Sequence, residues 1–498
     1  MKKLHRSNLA FVLSTTLIAS ASVYATPVTT ATSFIVGQEK DFLPTTANEE
    51  GYWYSRYNLT ALSMQSGMGM AIPMEKIMPM MPDLMKSVGA SVDNPVTPPV
   101  NPTMLMTVYE SGNPHYLNTP NQKDFSTLKW QSYSKTLSNE ASAWTIVKEL
   151  EWAKAFHRNA HFGQANVDNF GANERFAGVM LALMAKMQMQ AYSENMADYE
   201  MPKAGDYALL IALSDGTNVY SSASQTNNEG VRADIQNYPA ENRYTDKMAE
   251  DMFSSMAASH FTKVLNSKPT TIRDLSLAIQ SVVWYASVTQ NSTELVKAKN
   301  AVTNWGNKLA KLTAKNPTDS AYQVRGLIEV GRTTKIETYL QTAASIFKKM
   351  INGFDEAHGV LKGTTTLTID GVGEIVGAFN AADLFLEKRI DQTAAKNIFT
   401  AWWEGSINLS GLQLSAPDIN QMKSAYEMNQ SPLNYRYPTT PLPTKIAPVF
   451  AASITWKNNA WKANQNKFDT AGAMHAANEM VWLHSDELNG FPVVNFSQ

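Results

Sequence analysis

The stretch that decides the fold is Thr271–Val330, TIRDLSLAIQSVVWYASVTQNSTELVKAKNAVTNWGNKLAKLTAKNPTDSAYQVRGLIEV. Thr271 followed by Asp274 has the form of an N-cap with a first-turn acid, opening a helix to about Thr289. Asn291 with Glu294 opens a second. Its apolar residues, Leu295, Ala298, Val302, Trp305, Leu309 and Leu312, recur every three or four positions and so share one helix face. Asn316-Pro317 breaks that pattern, and Thr318 is placed as the cap of a third helix carrying Val324, Leu327 and Ile328. Leu340, Ala343, Phe347 and Met350 continue the period. Short connections between such segments make them antiparallel neighbours.

Working outward, Val360-Leu361-Lys362 against Leu367-Thr368-Ile369 reads as a short β-hairpin. Helices resume with Val372, Ile375, Phe379 and Ala382, and Asp391 caps a segment carrying Ala395, Ile398 and Trp402. A Pro-rich loop, Pro432 to Pro448, precedes a closing helix from about Thr470 to His484. Upstream, Ile146, Leu150, Ala153, His157 and His161 lie on one helical face, and further helices are expected over Asn173–Asn195 and Thr245–Asn266. Asp215 to Asn242 is polar and reads as a surface loop. The chain is therefore expected to be mainly α, with a helical-hairpin body over 128–498 and a small β-hairpin insertion. Residues 26–127, with prolines at 73, 79, 82, 95, 98, 99 and 102, form a loop-heavy, Met- and Pro-rich N-terminal region.

Residues 1–25 read as a secretory signal peptide. Lys2, Lys3 and Arg6 precede an apolar core from Leu9 to Ala19, and Val23-Tyr24-Ala25 places cleavage after Ala25. The expected location is periplasmic or secreted, with no membrane span after the signal is removed. Losing those three cations takes the formal charge from −2 to −5. No basic block stands out, which argues against nucleic acid as a partner. There is no Cys, so no haem c attachment, iron–sulfur cluster or thiolate zinc site is expected. No Gly-rich nucleotide-binding loop is present.

Paired helical segments, a β-hairpin inserted after Phe354-Asp355-Glu356-Ala357-His358-Gly359, and Asp370-Gly371-Val372-Gly373 opening the next helix resemble the α/α-toroid, or six-hairpin, superfamily. The likeness covers about Ile272 to Asn408 and is architectural. It implies an active site at one end of the barrel, built from loops and helix starts, with Asp355, Glu356, His358 and Asp370 near that end. Many members act on carbohydrates.

Glycoside hydrolysis needs one carboxylic acid and one carboxylate, roughly 6.5–9.5 Å apart in inverting enzymes. Asp355, Glu356 and Asp370, with Glu374, are the candidate catalytic pool; turn and capping roles account for the same residues. Trp402 and Trp403, with His358, are candidates for binding a sugar, although Trp402 lies at core spacing.

Two features leave copper or zinc open. His157 and His161 stand at i, i+4 on one helix, where both imidazoles can reach one ion, but Arg158-Asn159-Ala160 between them lacks the glutamate of metalloprotease helices. His475 is one candidate third ligand. The second feature is a tract containing Met64, Met68, Met70 and Met74, whose thioethers suit Cu(I). Prolines interleave it, and Met stripes recur elsewhere, as at Met180, Met184 and Met187, which favours packing. Two functional expectations follow. One is an exported protein that binds or processes a carbohydrate. The other is a non-enzymatic protein associated with a metal or with an envelope partner that covers the Met-rich surface.

Overall fold

The computed structural model describes residues 105–113, 132–162, 170–195, 203–220, 246–355, 360–414, 449–464, 467–484 and 490–496, together with Trp130 and scattered positions between 47 and 82. Eleven α-helices are named among the described residues. They are α1 (Asn139–Phe162), α2 (Phe170–Asn195), α3 (Lys203–Tyr220), α4 (Lys247–Asn266), α5 (Ile272–Val288), α6 (Ser292–Leu309), α7 (Pro317–Thr334), α8 (Glu337–Asn352), α9 (Ile369–Leu386), α10 (Gln392–Trp403) and α11 (Thr470–His484). None is long and apolar enough to cross a membrane.

The odd-numbered helices close on themselves. α1 packs on α3, α3 on α5, α5 on α7, α7 on α9, α9 on α11, and α11 on α1. The even-numbered helices form an outer layer, with α2 on α1, α4 on α3, α6 between α5 and α7, α8 on α7 and α10 on α9. The sixth outer place is taken by helical positions 47, 50, 51, 54, 55, 58, 59 and 62. There Ser55 Oγ donates to Ala477 O on α11 (2.6 Å), and Trp403 Nε1 on α10 donates to Glu50 (2.7 Å). The architecture is a toroid-like ring of helical hairpins.

The two layers differ in sequence for a physical reason. An outer helix buries one face only, as α6 does with Ala298, Val302, Trp305 and Leu309. Each such side chain, Leu309 for instance, contributes about 1.5–3 kcal/mol on leaving water. An inner helix has neighbours on both flanks and a layer behind it, so α5 is buried on every side from Leu275 to Ala286.

The inner helices run parallel. Along α9 and α11, Gly373 meets Ala476, and about two turns later Asn380 Nδ2 donates to Trp482 O (3.4 Å). A Cβ at Gly373 would lie 2.6 Å from Ala476 Cα, so the two backbones approach as closely as they do only because position 373 carries no side chain. Gly373→Val must force the helices apart. It is expected to destabilise by about 1–3 kcal/mol, read from the denaturant midpoint.

Ten short strands decorate the ring: β1 (Ser111–Asn113), β2 (Ser132–Tyr133), β3 (Phe354–Asp355), β4 (Val360–Leu361), β5 (Thr366–Thr368), β6 (Gln413–Leu414), β7 (Val449–Phe450), β8 (Ser453–Lys457), β9 (Ala460–Ala463) and β10 (Phe468–Asp469). They pair antiparallel in the orders β10-β1-β2, β3-β4, β5-β8-β9 and β6-β7. Since β5 runs straight into α9 and β10 into α11, two of these sheets rim the N-terminal end of the inner ring.

Several local expectations need correction. The inserted hairpin pairs β3 with β4, while Leu367 pairs with Ile454, because the distant β8 offers β5 a complete ladder. Asn316, not Thr318, caps α7, accepting from Asp319 N at 2.8 Å with Pro317 just behind it. Asp215 lies in α3 and is buried, rather than starting a surface loop. The stretch after Gly51, expected as short helical turns and loops, carries the outer helical positions 51, 54, 55, 58, 59 and 62.

Candidate functional site

The inner helices carry charged residues where an apolar ring would carry none. At 1.5 Å per residue, equal distances from the helix starts define layers down the ring. In the first turns stand Glu140 of α1, Arg273 of α5 and Asp370 of α9. About one turn deeper come Tyr322 of α7, Glu374 of α9, and His475 and Trp144 on α11 and α1. Arg325 and Glu479 follow, then Trp284, Trp482, Glu151 and Asp215, with Lys154 deeper still.

The top layer is joined by direct bonds. Arg273 Nη2 lies 2.8 Å from Glu140 and 3.4 Å from Asp370, while its Nε donates to Tyr322 Oη at 3.2 Å. Tyr322 Oη donates to Asp370 Oδ2 (2.8 Å), and His475 Nδ1 meets Asp370 Oδ1 at 2.9 Å. This layer reaches solvent, with the Arg273 side chain 35% exposed and that of Asp370 19%. Asp469 is close by, since the bare position of Gly472 abuts both its Oδ2 and the Asp370 backbone N.

These contacts set the charges. Burial alone raises the Asp370 carboxyl, but the His475 hydrogen bond and the Arg273 charge outweigh it and hold the group well below the usual carboxylate range. Burial likewise disfavours a charged His475, yet hydrogen bonds and charge from Asp370 and Glu479 carry its imidazole up to about 10. Burial pushes Asp469 up, and the charges of Asp370 and Glu140 add to that shift against the amides of Gly472 and Ala471. One layer down, burial raises Glu374 to about 7, with Arg325 opposing and Glu479 reinforcing.

His475 Nε2 faces two carboxylates, Glu374 Oε2 at 3.5 Å and Glu479 Oε1 at 3.4 Å. The remaining oxygens turn to Arg325, whose Nη1 contacts Glu479 Oε2 and whose Nε lies 4.0 Å from Glu374 Oε1. Trp144 stacks at a tilt on the His475 ring, centroids 4.5 Å apart.

The residues singled out from sequence scatter. Asp370 sits at the centre of the upper network. Asp355 is in β3, half-buried, at the same end of the ring. Glu356 and His358 lie outside the described residues. Trp402 and Trp403 are corrected from sugar platforms to core: both are buried among Phe399 and Tyr54, and Trp403 spends its indole N–H on Glu50. His157 and His161 fall within α1, at positions whose side chains are outside the described set. Met68 is fully buried with its sulfur against Gly112, whereas Met70 is exposed and its carbonyl accepts from Met106 N; Met64 lies outside the described residues.

Arg273, Tyr322, Arg325 and Glu479 were not anticipated. The signal that could have found Glu479 is the i, i+4 pair of His475 and Glu479 on an otherwise largely apolar helix; Tyr322 and Arg325 lie on a helix with many polar residues and carry no such contrast. A scan of the chain against protein-family models finds no match, and a search of curated proteins finds none.

Proposed function

We propose that the N-terminal mouth of the helix ring binds a neutral carbohydrate and cleaves a glycosidic bond in it. The observation that carries this reading is the meeting of Asp370, Glu140, Asp469, Arg273 and Tyr322 at the N-terminal end of the ring, where the Arg273 and Asp370 side chains reach solvent. Sugar hydroxyls need donors and acceptors fixed side by side, and this cluster offers both. Its one exposed cation is already matched by Glu140 and Asp370, so a charged ligand gains little there. The carboxyls are shifted in opposite directions: burial raises Asp469, while the His475 hydrogen bond and the Arg273 charge lower Asp370. That division suits an acid and its ionised partner.

An aromatic face stands at the same end. Tyr133 is 37% exposed and stacks on Tyr109, centroids 5.4 Å apart, on the sheet that leads through β10 into α11. It is the surface an apolar sugar face would stack on.

Tyr133→Ala is expected to weaken glycan binding about five- to tenfold with an unchanged melting temperature. Asp469→Asn keeps an amide-accepting oxygen at the start of α11 and is expected to abolish cleavage while leaving binding in place. A panel of oligosaccharides, followed by calorimetry and by reducing-end release, checks both. Full-length protein that neither binds nor cleaves any neutral glycan rejects the proposal.

A further inference from the structure

We propose that Glu374, His475 and Glu479 bind one divalent transition cation of the zinc class, just beneath the mouth. The proposal does not depend on which ligand the mouth takes. One ligand atom from each residue lies within 4.8 Å of the others, and all three residues are buried. Two edges of the cluster, 3.5 and 3.4 Å from His475 Nε2 to Glu374 Oε2 and Glu479 Oε1, can be compared with a coordination polyhedron. Ligands about 2.0–2.1 Å from a tetrahedral zinc stand roughly 3.4 Å apart, whereas octahedral neighbours stand roughly 3.0 Å apart. The observed edges match the tetrahedron, and three protein ligands leave its fourth corner for water or substrate.

The surroundings are those a metal site needs. Asp370 takes His475 Nδ1, which fixes the ring and turns Nε2 toward the two glutamates, the carboxylate–histidine–metal arrangement. Asp370 is held in turn by Tyr322 and Arg273. Arg325 contacts the outward oxygen of Glu479 and lies 4.0 Å from that of Glu374, and the inward oxygens of both face His475 Nε2. A second observation points to a missing partner. Glu374 is fully buried, yet neither of its oxygens accepts a hydrogen bond among the described residues. A buried carboxylate without a bond is costly, and a cation between it and His475 removes that cost. One nitrogen and two oxygens suit Zn²⁺ or Mn²⁺ and not Cu(I), which favours sulfur.

The competing arrangement places a proton on His475 Nε2 and no metal. Chelator-stripped full-length protein titrated with zinc chloride by calorimetry separates the two. The expected result is one ion per chain, lost about 100-fold or more in Glu374→Gln and about 10–100-fold in Asp370→Asn. Cobalt(II) added to the stripped wild type is expected to give the intense visible bands of a tetrahedral ion, a readout that stands even if a variant fails to fold. Absence of stoichiometric uptake by the wild type, or uptake undiminished in a folded Glu374→Gln, overturns the proposal.

Discussion

Arg325→Met is expected to cost about 3–5 kcal/mol of stability, read from urea or guanidinium midpoints in the presence of chelator. The side chain is buried in the ring, with Nη1 on Glu479 and Nε 4.0 Å from Glu374. Its guanidinium lies over Trp482 and Phe491, 5.9 and 5.2 Å from the ring centroids. Methionine fills much of that volume but leaves Glu374 and Glu479 buried with only the His475 ring beside them both. The cost is therefore mainly electrostatic, a large share of the roughly 5–15 kcal/mol that holds a domain together. The double variant Arg325→Met/Glu479→Leu removes charge from both sides and is expected to recover much of the loss, since replacing a whole buried pair with apolar groups is often neutral. A loss below about 1 kcal/mol in Arg325→Met would show that the carboxylates are already satisfied without it.

The hairpins of the ring were legible because the outer helices bury one face. The 3-4-3-4-3 spacing from Leu295 to Leu312 is a direct record of that geometry, and Thr271, Asn291 and Asp391 cap where they were expected. The inner helices leave a weaker record. Burial on every side removes the periodic contrast, and α3 was not anticipated as a helix. Strand pairing was illegible for a different reason: β5 meets β8 across a separation of about ninety residues, and local turn chemistry carries no information about such a partner.

The site was legible in part. Asp370 was chosen as a carboxylate at a helix start, and that is where it stands. Glu374 and His475 were noted separately, one as a catalytic acid and the other as a distant metal ligand, although Glu374, His475 and Glu479 converge only through the packing of α9 on α11. The i, i+4 pair at His157 and His161 drew attention through its residue type. His475 and Glu479 have the same spacing on a more deeply buried helix. Trp402 and Trp403 misled because indole size signals a ligand face and a core anchor equally well. Only their burial among Phe399 and Tyr54 separates the two.

Lys154→Met is expected to be as damaging as Arg325→Met, about 3–5 kcal/mol, at the opposite end of the polar column. Lys154 Nζ lies 2.8 Å from Glu151 and 2.7 Å from Asp215, all three side chains being almost wholly buried, and it stands 5.7 Å over the Trp284 ring. Removing it leaves two carboxylates facing each other away from water. The same triad gives stability a pH dependence with a definite sign. Burial pushes Asp215 up to about 7, Lys154 opposing and Glu151 reinforcing the shift. In the unfolded chain the carboxyl releases its proton near 4. Between those values the folded state holds the extra proton, so this contribution to stability is fully present below about pH 4 and falls as pH rises toward 7. Asp215→Asn, which cannot titrate, is expected to flatten that decline. Denaturant midpoints of wild type and variant at pH 5 and pH 8 measure it. The difference between the two proteins must shrink or grow with pH by the amount the wild type loses, and a parallel pair of profiles would show that Asp215 does not hold the buried proton.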